Sequence, residues 1–254
     1  MPAGTVYLVG AGPGHPDLLT LKAVALLKIA DVIVYDRLIQ PEVLDLANPA
    51  AERIFVGKLL GGSASRQDDI HAVLLQKARE GKTVVRLKGG DPFMFGRGGE
   101  EAEFLANHHV PFEVVPGVSS ALAAPLRAGI PVTHRGVASS VAFVTGHEAN
   151  DGAPGLDWTA LARMHTLVFM MAVSNVRRIA ARLIDHGRLR STPVAIIQSA
   201  FWDDEQIITS TLDAIADDVD RLGIQPPATL VIGDVVRLRQ RLTGMRTPPE
   251  PEPL

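Results

Sequence analysis

The chain has 254 residues, 46% apolar and 21% charged, with a formal net charge of -3 and no cysteine. It can bury a large core, as one large domain or two medium ones, and it excludes a disulfide framework, thiolate metal sites and a cysteine nucleophile. The charge balance gives no pull toward nucleic acid or an anionic membrane, and no apolar run approaches the ~20 residues needed to cross a bilayer.

In chain order, short β-rich runs alternate with helical patterns. "TVYLVG" predicts a strand, and residues 18–30 a helix whose apolar stripe is Leu18, Leu19, Leu21, Ala25, Leu26 and Ile29, capped by Asp17 or Thr20. "DVIVYD" and "RIFVG" predict strands, residues 66–81 a helix, and "TVVRLKG" the next strand. This alternation is the signature of a parallel α/β sheet. After "VVPGVSSALAAPLRAGIPVT" a second set follows. "SVAFVTG", "TLVFMMA", "PVAIIQ", "QIITST" and "ATLVIGDVV" read as strands, with helices over 176–186 and 212–222. The expected organisation is an N-terminal α/β domain over 1–117 and a C-terminal α/β domain over 118–245. The acidic, proline-rich tail over 246–254 is expected to be disordered.

The loop after the first strand, "VGAGPGHPDLLT", lies where open α/β sheets bind ligands. It falls short of a dinucleotide fingerprint, because His15 stands where the third glycine is needed and Pro13 removes an amide, although Asp36 ends the second strand where a ribose-binding acid would stand. "EGKTVV" is no Walker loop, since Gln76 replaces a required glycine and the lysine precedes a strand. The histidines show no metal spacing, and His108 with His109 is expected at an exposed helix end. Core packing is the ordinary role for Met170 and Met171.

"VVRLKGGDPFMFGRGGEE" over 84–101 carries the most information. Its first glycine pair permits close backbone approach at a strand end, and the second opens a helix. A guanidinium between glycines, Arg97, is shaped to grip a carboxylate or phosphate. Glu101 favours the N-terminus of the following helix.

With "VGAGPG", "LLTLKA", "VIVYDRL", "VGK", "VVPGVSSA", "GIPVTHR", "VTGH", "LDW" and "TLVFMMA" in order, this stretch resembles the uroporphyrinogen-III C-methyltransferase family of the tetrapyrrole methylases, from Val6 to about Leu242. The resemblance implies two α/β domains with a cleft between them and a homodimer acting on uroporphyrinogen III. S-adenosyl-L-methionine would be the methyl donor, with no metal. Two successive methylations would give precorrin-2, for cobalamin, siroheme or another haem-like branch. The family's donor contacts fall on Pro13, Gly89, Gly90, Asp91, Met94, Ser119, Ser120, Met171 and Ala200. Arg37, Arg97 and Arg135 are the candidates for the acceptor's carboxylates. Asp36 and Lys58 fall on positions proposed for proton transfer, with Arg97 and Glu100 as a rival catalytic pair. Departures are His15 where the family has Asp, Ser119 and Ser120 where it has Thr-Ala, and Ala200 where it has Gly. A free-standing, cytoplasmic enzyme is the expectation. The alternatives are a sibling methylase acting on later precorrins, ribosomal RNA or diphthamide, and a module that binds the donor without turnover.

Overall fold

The computed structural model describes residues 4–57, 67–147 and 155–243. Lys58 and the tail over 246–254 lie outside them. The chain divides after Ser120 into two compact units, so Ser119 and Ser120 go with the first.

The first unit is a five-stranded sheet in the order β3-β2-β4-β1-β5, formed by β1 (Val6–Gly10), β2 (Val32–Tyr35), β3 (Glu52–Phe55), β4 (Val84–Lys88) and β5 (Phe112–Val115). Every pairing in it is parallel, Val6 facing Val84 on one side and Phe112 on the other. Each strand but the last, β5, is followed by a helical crossover to the next, which a parallel connection requires. α1 (Leu21–Ile29) and α2 (Pro41–Asp45) cover one face, where Ala23, Leu26, Leu27 and Val43 pack on Val9, Ile33, Val85 and Leu87. α3 (Gln67–Arg79) and α4 (Gly98–Asn107) cover the other, where Ile70, Leu74 and Leu105 pack on Leu8, Val34 and Val84.

The start of α1 corrects the expected helix over 18–30. Residues Pro16–Leu18 form a separate 3-10 turn, and Thr20 caps the helix by accepting from the Ala23 amide at 3.1 Å. The buried stripe also differs from the expected one: Ala23, Leu26, Leu27 and Ala30 go inward, while Leu21 is 88% exposed and Ile29 is exposed too.

The second unit holds α5 (Ser120–Arg127, its first residue still in the first unit), β6 (Val141–Thr145), α6 (Trp158–Ala162), β7 (Thr166–Met170), α7 (Val176–Asp185), β8 (Pro193–Gln198), β9 (Gln206–Thr211), α8 (Ile215–Leu222), β10 (Ala228–Ile232) and α9 (Arg239–Leu242). Its sheet runs β6-β7-β10-β8-β9 and is mixed: β6 and β7 are parallel, whereas β10 is antiparallel to β7 and β8, and β8 to β9. Phe169, Leu183, Ile196 and Ile215 fill one face, and Ala124, Ile130, Ile197 and Val231 the other. "ATLVIGDVV" is a strand only to Ile232, after which Asp234–Leu238 is a 3-10 helix. Among the described residues no helix is long and apolar enough to cross a membrane, and no group of three or more acidic, His or Cys side chains could hold a metal.

Candidate functional site

In the first sheet the chain leaves β1 toward β2 and leaves β4 toward β5, so connections diverge from two adjacent strands. The crevice at the carboxyl ends of such strands is where open α/β sheets hold ligands. The loops after β1 and β4 meet there as a small antiparallel bridge: the Gly90 amide donates to the Gly12 carbonyl at 2.7 Å, the Gly12 amide to the Gly90 carbonyl at 3.2 Å, and the Ala11 amide to the Lys88 carbonyl at 2.8 Å.

The loop after β5 closes on the same bridge. A Cβ at Gly117 would lie 2.2 Å from the Gly90 oxygen, and one at Gly10 would lie 2.5 Å from the Gly117 nitrogen. Real Cβ atoms cannot come so near, so three backbones touch only because side chains are missing. At Gly90 the demand is conformational, with φ +69 and nothing nearer than 3.7 Å to an added Cβ. That open side is a cradle bordered by Ser119 and Ser120. Asp91 joins the loops, accepting from the Phe93 amide at 2.9 Å and the Gly117 amide at 3.1 Å. Pro13 and Met94 are half-buried in the loops after β1 and β4, while Gly89 packs against Leu38.

Around this edge stand the described charged candidates of the first unit. Arg97, left-handed at φ 59, precedes α4 and holds Glu100 with two hydrogen bonds, Nε to Oε1 at 2.9 Å and Nη2 to Oε2 at 2.6 Å. That bond keeps the Glu100 carboxyl below its ordinary range. The fork read from sequence as a grip for a ligand already carries an internal carboxylate. Asp36 accepts from the Leu38 amide at 3.0 Å and from Arg86 at 3.5 Å, and Arg37 beside it is exposed.

The sequence reading missed the charges beneath. On β4 the alternation that buries Val84 also buries Arg86 and Lys88, and Glu101 of α4, read as a helix-end residue, is fully buried against them. Burial, ahead of the neighbouring Arg86, pulls the Lys88 ammonium below the usual lysine range. Strand periodicity could have exposed this, because two cations on a core-facing side need a carboxylate.

In the second unit Met171 follows β7 and Ala200 follows β8. Both strands run antiparallel to β10, which brings their carboxyl ends to one edge of that sheet. Met171 is 52% exposed at φ 54, and Ala200 is buried between Ser199 at φ 48 and Phe201 at φ 68. Non-glycine residues in that region are costly and concentrate where backbone must be re-aimed at a site. Arg135 is exposed in the turn closed by the His134–Ala138 bridge.

A glycine-bridged crevice at the switch point of a parallel sheet defines a ligand-binding α/β protein. Residues 5–216 match the model of the Tetrapyrrole (Corrin/Porphyrin) Methylases, and the chain belongs to that family. A siroheme synthase of Nitrosomonas europaea is 47% identical over 251 residues, 98% of this chain and 53% of that protein. The chain thus spans about half the length of the curated relatives it matches. Among solved structures, uroporphyrin-III C-methyl transferase from Thermus thermophilus complexed with S-adenyl homocysteine is 45% identical with a TM-score of 0.80, covering 92% of this chain and 94% of that one. A cobalt precorrin-4 methyltransferase is 30% identical at TM-score 0.82, covering 91% and 95%.

Proposed function

We propose that the chain is an S-adenosyl-L-methionine-dependent C-methyltransferase that converts uroporphyrinogen III to precorrin-2 by two successive methylations, working as a homodimer. The observation that carries the reading is the cradle at Gly90, where glycine backbones and Asp91 form an open-sided turn at a sheet switch point. A fold match to a protein complexed with S-adenyl homocysteine supports the same donor. The fit to both methyltransferases is similar, so identity favours the acceptor: 45% with the uroporphyrin-III enzyme against 30% with the cobalt precorrin-4 enzyme.

Bound donor supplies an electrophilic methyl on a sulfonium. The chain's task is alignment and exclusion of water, which an in-line displacement on an electron-rich pyrrole carbon rewards. Pro13, Gly89, Gly90, Asp91, Met94, Ser119, Ser120, Met171 and Ala200 are the proposed donor contacts. Asp36 is proposed to accept the pyrrole N–H proton, with Lys58 beside it in the transfer. The acceptor carries eight carboxylates, for which Arg37, Arg97 and Arg135 are the proposed partners. Arg97 would exchange its bond to Glu100 for an acceptor carboxylate, and in the rival assignment the freed Glu100, rather than Asp36, takes the proton.

Incubating the purified protein with donor and uroporphyrinogen III is expected to add two methyl groups per acceptor. Competition among tetrapyrrole acceptors separates this reading from a methylase of later precorrins, which would prefer an already methylated ring. Arg97→Ala is expected to raise the acceptor KM on the order of tenfold, with S-adenosylhomocysteine affinity within twofold of the parent. Unchanged acceptor kinetics would remove Arg97 from the acceptor site.

A further inference from the structure

Beneath the crevice lies a buried polar cluster to which no role in the reaction has been given. Glu101 receives three donors on Oε1: Lys88 Nζ at 2.8 Å, Arg86 Nε at 3.3 Å and Gln67 Nε2 at 3.3 Å. Its Oε2 is buried with no hydrogen-bond partner among the described residues. Arg86 continues outward, donating through Nη1 to the Leu87 carbonyl at 3.0 Å and the Val34 carbonyl at 3.4 Å, and through Nη2 to Asp36 Oδ2 at 3.5 Å. Arg86, Lys88 and Glu101 are all nearly sealed from solvent.

Hydrocarbon of the same volume would stabilise such a layer as well or better, so stability is a weak reason for these charges. Their geometry offers another. Lys88 ends β4 and leads directly into Gly89, Gly90 and Asp91, while its carbonyl receives the Ala11 amide of the facing loop. Arg86 reaches from the same strand face to Asp36. One carboxylate therefore holds the side chain at the root of the glycine turn and the guanidinium that contacts the candidate proton acceptor.

We infer that Glu101 is a positioning residue: through Lys88 it sets the glycine turn that cradles the donor, and through Arg86 it sets the Asp36 carboxylate. The inference rests on the donor and proton-acceptor sites proposed above. Glu101 touches neither partner itself. Its charge keeps two buried cations pointed inward, and neutralising it frees Lys88 to swing toward solvent and the turn to loosen.

The test measures S-adenosylhomocysteine binding by calorimetry, and steady-state kinetics, on the full chain and on Glu101→Gln. The variant, folded by circular dichroism, is expected to bind S-adenosylhomocysteine about tenfold more weakly, a change of about 1.4 kcal/mol. At saturating donor its kcat is expected to fall on the order of tenfold through Asp36, with the acceptor KM within twofold of the parent. A role confined to stability would lower the melting temperature and leave affinity and kcat in place, which overturns the inference. If Glu101→Gln does not fold, the charge-balanced Lys88→Met with Glu101→Gln is used, and parent-like affinity and kcat there overturn it equally. Absence of binding by the parent chain would instead overturn the donor site itself, and the inference with it.

Discussion

The two units solve the burial problem differently. In the second, the described core is hydrocarbon with a few neutral polar groups: Thr166, Gln198, Ser199 and Thr229 are its buried polar residues, and no described charged residue is sealed there. In the first, Arg86, Lys88 and Glu101 are sealed inside the sheet layer, and three loops approach so closely that glycine is the only residue they accept. Left-handed non-glycine residues occur in both units, Phe95, Arg97 and His109 in the first and Met171, Ser199 and Phe201 in the second. The first unit thus adds buried charge and close glycine contacts to its backbone strain, whereas the second places its strain above an ordinary core.

Substitutions can break that contrast. The largest effect is expected in the second core: Phe169 is fully buried and stacks on Trp158 with ring centroids 6.4 Å apart, so Phe169→Ala should cost about 3–5 kcal/mol in denaturant melts. A loss below about 1 kcal/mol would show a core far less tightly packed than its burial implies. In the first unit Gly117→Ala places a methyl 2.2 Å from the Gly90 oxygen, with an expected cost of about 1–3 kcal/mol. S-adenosylhomocysteine affinity should fall with it. Gly99→Ala is the control, because its Cβ meets nothing within 4 Å on the first turn of α4, where alanine is favoured over glycine by roughly 0.5–1 kcal/mol. If both alanines behave alike, the close approach of the three loops is not what fixes the glycines.

Much of this could be read from the chain because periodicity and punctuation agree locally. The strands "VYLVG" and "VVRLK", the helix Gln67–Arg79 and the Thr20 cap follow from alternation, a long amphipathic stretch and one hydroxyl at a helix start. The misreadings have physical causes too. Leu21 and Ile29 read as core because they are large and apolar, yet the buried stripe is Ala23, Leu26, Leu27 and Ala30, spaced i, i+3, i+4 and i+7, which leaves them outside it. α5 carries Pro125 inside a helix, a signal ordinarily read as a stop. β5 is four residues with an exposed Phe112 and Glu113, too short to alternate convincingly. Glu101 was the costly error: charge near a helix start reads as a solvated end group, and its burial against β4 is a tertiary fact that neither segment announces alone. The glycine loops were legible as a candidate site, but not which backbones they bring together.

The smallest expected effect lies on the surface of the second unit, where charge should act as it fails to act beneath β4. Asp218 on α8 accepts from Arg221 at 2.7 Å and from Ser210 Oγ of β9 at 2.6 Å, and these bonds, Arg221 first, hold its carboxyl below the ordinary 3.8. A carboxyl depressed in the folded state contributes stability that is fully present above its unfolded value and lost as pH falls through the folded one. Asp218→Asn is therefore expected to be less stable than the parent at neutral pH, by no more than about 1 kcal/mol given the exposed partner. Thermal melts of the two should converge as the pH drops below 3.8. A gap that persists unchanged into acid would mean that the side chain's neutral hydrogen bond to Ser210, rather than its charge, ties α8 to β9.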